Sequence, residues 1–381
     1  MALPTFFRRG WLALALGTLL GGMAQAEEPC RIAFDIGSSG IRVGGNAGAG
    51  SAKASIDYLS DVWADQRIDV TVDATVAALK DMPAKAVLPA GCQQVAGGFS
   101  AWRLALDLGD RRELVETLAE LHGRSGVAVF VIPQAVEGAY GYASARALLG
   151  DRLKTRYILD IGGGSLQIAD AGSGWGTTLG QKTWHREFCQ VVRGDSQGNC
   201  QVLPLSGAER RAAAHLLAGR IGEARRALPG RLDLTAISPP VTRSVYPLLR
   251  YLAAQGRLGS GRVDERGFDL AAVNGALDLL TGLDAAHWQQ LLGECRAGVP
   301  ESLCQPSFGE YVASDLLLVQ ALMNGLGVNK LKVAEADINN VPGLLGDDRA
   351  YRWSEQYSCY LARLDRRGAD AYLDDPASCG R

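Results

Sequence analysis

Two short stretches of the chain pair a carboxylate with a turn of glycine and serine. They are Asp35-Ile36-Gly37-Ser38-Ser39-Gly40 and Asp160-Ile161-Gly162-Gly163-Gly164-Ser165. Glycines leave room for a ligand and allow backbone conformations that other residues resist. The N–H groups of such a turn can converge on an anion. A short β-type run leads into each turn (31–34 and 157–159) and an alternating run leads out (41–43 and 166–169). Strand, glycine turn and strand describe a hairpin. A lone Gly-Gly-Gly is most often a plain structural turn. Two hairpins of one design, so far apart in the chain, point to duplicated lobes facing one another across a phosphate. A dinucleotide or Walker loop fits neither, because each leads from strand into helix with other glycine spacing.

The elements around these turns follow in order. The spacing predicts a loop over 44–51, a helix over 70–80, a strand over 94–97 and an amphipathic helix over 111–122. Continuous β-branched and aromatic content makes 127–132 a buried strand. An Ala-rich helix follows over 134–149, with one acid, Glu137, near its start. This alternation describes an α/β lobe. Beyond the second hairpin, 174–180 is turn-rich and 208–228 helical, and Ser238-Pro239-Pro240 is expected to break any regular element. Helices are predicted over 268–280, 286–292 and 315–326, and a strand over 330–334.

With 381 residues, 47% of them hydrophobic, the chain has ample core for two or three domains. Its net charge is −2 with the signs interspersed, so nothing asks for nucleic acid or an anionic membrane surface as a partner. Arg8 and Arg9 precede an apolar run over 11–23, and Ala24-Gln25-Ala26 is a small-x-small cleavage pattern. That describes a secretory signal peptide over 1–26 and a periplasmic or secreted protein without stable membrane association. The rival is a retained anchor, for which the run is short. Cleavage before Glu27 removes two cations and no acids, taking the charge from −2 to −4. All eight cysteines lie beyond that point. An even number in an exported chain reads as disulfides. Neighbour pairings are favoured: Cys30/Cys92, Cys189/Cys200, Cys295/Cys304 and Cys359/Cys379. Scattered histidines and the absence of Cys-x-x-Cys argue against zinc.

The two hairpins with their intervening strands and helices resemble the superfamily of actin, the heat-shock ATPase chaperones and the sugar kinases. Within it the chain is most similar to the exopolyphosphatase and guanosine pentaphosphate phosphohydrolase family. Asp35-Ile36-Gly37-Ser38-Ser39 resembles that family's first phosphate loop, and Asp160 to Ser165 its second. Glu137 falls on the family's catalytic glutamate, and Arg103 on the arginine of an Ala-Thr-x-x-Leu-Arg motif. The resemblance is specific over 31–180 and looser, but collinear, to Leu345. It implies a two-lobed actin-like (ribonuclease H-like) α/β fold with duplicated mixed sheets and a ligand cleft between them. The expected organisation is lobe I over 27–155, lobe II over 156–345 and a disulfide-held extension over 346–381.

The resemblance also implies roles. Gly37, Ser38, Ser39, Gly162, Gly163, Gly164 and Ser165 would bind phosphate through backbone N–H and hydroxyl groups. Arg42 and Arg103 would offer forked donors to phosphate oxygens. Asp35 and Asp160 would hold Mg²⁺ directly or through water. Glu137 would be the general base for in-line attack of water on polyphosphate or a related phosphoanhydride. Each residue alone has a plainer reading: Glu137 as a favourable charge at a helix start, the arginines as surface residues, Asp160 as turn chemistry. The sequence departs from the family at three acid or basic positions, where it has Gln167, Val136 and Ala139. Gln167, expected in the catalytic group, can orient a water or a hydrated metal but cannot take a proton. Two alternatives stay open: a phosphate or polyanion binder without turnover, and an ATPase or sugar kinase. The latter is disfavoured because Ser238-Pro239-Pro240 stands where the superfamily has its Gly-Gly nucleotide segment. A homodimer is compatible with all of these.

Overall fold

The computed structural model describes residues 29–48, 50–65, 67–291, 311–334, 336 and 338–380. The expected signal peptide and the Cys295/Cys304 pair lie outside the described residues.

Lobe I is built on a five-stranded sheet of order β3-β2-β1-β4-β5. Its strands are β1 (Arg31–Ile36), β2 (Ile41–Gly45), β3 (Ser51–Ala54), β4 (Gln93–Gly98) and β5 (Ala128–Val131). β1 to β3 form an antiparallel meander, and β4 and β5 run parallel to β1. Parallel neighbours need long crossovers, which the helices Val72–Lys85, Ala101–Leu108 and Arg111–Ser125 supply. Lobe II repeats the plan with β6 (Tyr157–Ile161), β7 (Leu166–Ala169), β8 (Gly174–Thr177), β9 (Leu234–Ala236) and β12 (Lys330–Val333). Its order β8-β7-β6-β9-β12 matches lobe I strand for strand in direction, and β10 (Val263–Asp264) and β11 (Gly267–Asp269) extend it beyond β12.

Several expectations need correction. The Gly/Ala loop ends in an edge strand, β3, and the turn-rich 174–180 stretch contains β8. Phe268 belongs to β11, ahead of the Leu270–Leu280 helix. The Ser238-Pro239-Pro240 segment initiates helical turns over Pro240–Val245 that run into the Tyr246–Ala254 helix. Proline is tolerated in a first helical turn because the N–H it lacks would have no partner there.

After lobe II the chain returns to lobe I. Helices Val341–Leu345, Asp348–Glu355 and Tyr357–Arg367, with the 3₁₀ turn Gly368–Leu373 that follows, bury Leu344, Trp353, Tyr360 and Tyr372 in the first lobe's core. This return covers the edge strand β5, whose outer backbone groups need partners. Tyr357 Oη donates to the Val129 carbonyl at 2.8 Å, and the Val131 N–H donates to Tyr360 Oη at 2.8 Å. Three of the expected disulfides are present: Cys30–Cys92, Cys189–Cys200 and Cys359–Cys379. Among the described residues no helix is long and apolar enough to cross a membrane.

Candidate active site

The two turns are the same construction. Gly37 N–H donates to the Gly40 carbonyl at 2.9 Å, and Gly162 N–H donates to the Ser165 carbonyl at 2.8 Å. Asp35 stands opposite Arg42 across the first hairpin, as Asp160 stands opposite Gln167 across the second. The turns meet tip to tip. A Cβ on Gly164 would lie 2.4 Å from Ser100 Oγ, and one on Gly163 3.1 Å from Ser38 Cβ. A Cβ at either position would make Ser100 or Ser38 shift, so glycine lets the lobes approach this closely. Ser38 Oγ donates to Ser100 Oγ at 2.8 Å. Ser100 is held at φ 44°, an uncommon conformation for a residue with a Cβ. Behind the second turn, Gln181 and Lys182, at the start of a helix, donate their N–H groups to the Gly162 and Gly163 carbonyls.

Between the turns lies a cleft of about 340 Å³. Asp35, Gly37, Ser38, Ser39, Arg42, Glu137, Asp160, Gly162, Gly163 and Ser165 line it. Arg103, Gln167 and Gly164 do not. Arg103 and Gln167 instead form a buried layer behind Glu137. The Arg103 guanidinium donates to Glu137 Oε2 at 2.5 Å, to Ser165 Oγ at 3.2 Å and to the Ile132 carbonyl at 2.8 Å. Gln167 Nε2 donates to the same Glu137 oxygen at 2.8 Å and to Ser165 Oγ at 3.0 Å. One carboxylate oxygen of Glu137 thus holds the side chain in place.

Helix placement explains the Glu137 position. The Gln134–Leu149 helix starts immediately after β5 and packs on β6, β7 and β8. Gln134 Nε2 donates to the Thr177 carbonyl at 2.8 Å, fixing the helix start on lobe II. Glu137 sits in the first helical turn, where the helix dipole favours a negative charge.

The cleft floor is crowded with carboxyl groups. Burial pushes Asp160 up to about 7, with the neighbouring Glu137 and Asp35 charges adding to the shift and the Ser238 hydroxyl and Arg42 opposing it. Burial also raises Glu137, against the pull of Arg103. Asp35 Oδ2 accepts the Asn340 N–H at 3.0 Å. Asn340 Oδ1, in the same cleft, is buried without a partner. These groups are acceptors, and a hydrated cation would supply what they lack. Among the described residues no three acids, histidines or cysteines cluster as a metal cage. Mg²⁺ does not need one, since it commonly keeps several waters and takes one or two carboxylates plus phosphate oxygens. The donor set of Asp35 and Asp160 fits that pattern.

Sequence reasoning passed over Lys53, Ser100, Asn339 and Asn340, which also line the cleft. Lys53 lies in the unrecognised strand β3, and the asparagines come from the chain's return to lobe I. Neither placement has a local signal. Ser238, in a proline-rich stretch with no local sign of a site role, accepts the Ile161 N–H on its hydroxyl at 2.6 Å and helps hold Asp160.

Fold and site together define a class, a two-lobed α/β protein with a phosphate-type glycine turn in each lobe. No protein-family model matches the chain, and no curated protein sequence matches it. Solved structures do. The type II variant of the Aquifex aeolicus Ppx/GppA phosphatase superposes with a TM-score of 0.57 at 14% identity, over 83% of this chain and 98% of that one. An exopolyphosphatase from Cytophaga hutchinsonii gives 0.56 at 12% identity, over 86% and 98%. An exopolyphosphatase-like protein gives 0.57 at 16% identity, over 86% and 99%. The chain therefore has the fold of the Ppx/GppA phosphatases, the actin-like architecture expected from its two hairpins.

Proposed function

We propose that this protein is an exported phosphohydrolase that removes terminal phosphoryl groups from polyphosphate or a related phosphoanhydride. One observation carries the reading: Glu137 faces a cleft whose walls are two glycine turns and whose floor is Asp35 and Asp160. The turn N–H groups and the Ser38, Ser39 and Ser165 hydroxyls would receive the phosphoryl oxygens, and Arg42 would neutralise developing charge. Mg²⁺ held by Asp35 and Asp160 would supply further charge neutralisation at the phosphoryl group. Glu137 would take the proton of the attacking water on Oε1, since Oε2 is occupied by Arg103 and Gln167. A base must be ionised to act, and burial opposes ionisation. The two donors on Oε2 favour the charged form. Export is supported by the 1–26 signal pattern and by the three disulfides, which suit an oxidising compartment.

A second reading, a polyanion binder without turnover, is favoured by one feature. The close Arg103 ion pair lowers the basicity of Glu137. Incubating the purified, oxidised protein with polyphosphate and Mg²⁺ separates the two. Phosphate release supports the hydrolase, whereas Mg²⁺-dependent binding without release supports the binder.

A further inference from the structure

A buried carboxyl group lies behind the second glycine turn, outside the cleft. Asp315 sits in the first turn of the Val312–Leu326 helix, 1% exposed, among the apolar residues of lobe II. No cation acts on it. Burial pushes it well above the usual carboxylate range, so the neutral acid is the favoured form. The Ser244 hydroxyl acts on it from a neighbouring element, although neither that hydroxyl nor Asp315 Oδ1 completes a hydrogen bond. Such a group is costly to bury unless it is hydrogen-bonded. The bond it does make is to Gln181, whose Nε2 donates to Asp315 Oδ2 at 2.6 Å.

Gln181 opens the Gln181–Glu187 helix. Its backbone N–H donates to the Gly162 carbonyl at 2.9 Å, and the Lys182 N–H donates to the Gly163 carbonyl at 2.7 Å. In a planar trans peptide the C=O and the following N–H point in opposite directions, and both of these peptides are trans. Holding the two carbonyls on the helix therefore turns the Gly163 and Gly164 N–H groups away from it. Neither N–H has an acceptor among the described residues. Trp184 and His185 fasten the same helix further along, at Ser314, whereas Gln181 ties down the end that meets the turn.

We infer that Asp315 is a positioning residue: through Gln181 it fixes the start of this helix, and with it the direction of the second turn's N–H groups. It acts as a hydrogen-bond acceptor and not as a charge. This rests on the phosphate-binding role proposed above for the turn.

Amide hydrogen exchange of the free protein tests this without substrate, in wild type, Asp315→Asn, Asp315→Leu and Gln181→Leu. The amides of residues 181 and 182 are expected to exchange about tenfold faster in both leucine variants, the equivalent of about one hydrogen bond, with the β5 amides unchanged. Asp315→Asn keeps an acceptor for Gln181 and should exchange as wild type does. Should Asp315→Leu fail to fold, Gln181→Leu, a change at a half-buried side chain, carries the same expectation. Wild-type exchange in the leucine variants, equal acceleration in β5, or an asparagine variant that behaves like the leucine one would overturn the inference. Phosphate release from tripolyphosphate gives a second readout. Each leucine variant should lower kcat/KM about tenfold, the double variant no further, and Asp315→Asn should keep the wild-type value. Additive losses would overturn the coupling through Gln181. If wild type releases no phosphate, the hydrolase reading fails by itself, and the exchange rates still decide the role of Asp315.

Discussion

At the scale of single residues, Gln167 is the departure with the clearest physical consequence. Its amide nitrogen lies 2.8 Å from Glu137 Oε2, where a carboxylate would face another carboxylate. A glutamate at 167 would disfavour ionisation of Glu137 by like-charge repulsion. Gln167→Glu is therefore expected to move the acidic limb of the pH–rate profile upward by about one unit or more. An unmoved limb would separate Gln167 from the protonation of Glu137. Asp160 makes a second prediction. Its folded value of about 7 lies above the ordinary carboxylate value of 3.8, so its contribution to stability is full below about 4 and is lost as pH rises toward 7. Without divalent cations, wild type should lose stability relative to Asp160→Asn across that window, by at most about 1.4 kcal/mol per pH unit. Denaturant unfolding of both proteins at several pH values measures this, and a constant difference would contradict it. The turns were legible in the sequence because strand, glycine and strand is a local pattern, whereas Glu137 alone reads only as a charge at a helix start and its role came from the family resemblance. The roles of Arg103 and Gln167 were not legible, because whether a side chain reaches the cleft or the layer behind it depends on how the helix carrying Glu137 sits on lobe II.

At the scale of elements, the Glu137 helix is clamped by the returning chain. Tyr140, one turn beyond Glu137, donates to Asp347 Oδ2 at 2.6 Å, and Tyr372 joins the same oxygen at 3.0 Å. Gly343 packs on this helix so closely that a Cβ would lie 2.4 Å from Tyr140 Cα. Gly343→Ala must push backbone away from backbone. It should cost about 1–3 kcal/mol in denaturant unfolding and reduce turnover by displacing Glu137. An unchanged midpoint would show that the return does not clamp the helix. The Gln134–Leu149 helix itself matches its predicted bounds because its Ala-rich stretch follows a hydrophobic strand without ambiguity. β3 was missed for an equally physical reason. Ser51-Ala52-Lys53-Ala54 is a short, half-exposed edge strand, and its small residues carry no hydrophobic alternation.

At the scale of the molecule, the duplicated plan was readable from two hairpins, but the closure of lobe I by its own C-terminal segment was not. Tyr357 and Tyr360 meet β5 across more than two hundred residues of chain, and no periodicity encodes such a pairing. Lobe I is also tied at its start by Cys30–Cys92, which closes a loop with a sequence separation of 62. Replacing both cysteines by serine should lower stability by about 3–4 kcal/mol through the greater freedom of the unfolded chain, read as a lower denaturant midpoint. The central claim concerns the cleft between the lobes, and phosphate release from tripolyphosphate by wild type and Glu137→Gln, with Mg²⁺ present, tests it most directly. The expected result is release by wild type and a fall of about 10²–10⁴-fold in kcat for Glu137→Gln, with tripolyphosphate binding retained. No release by wild type, or equal release by both proteins, would contradict it.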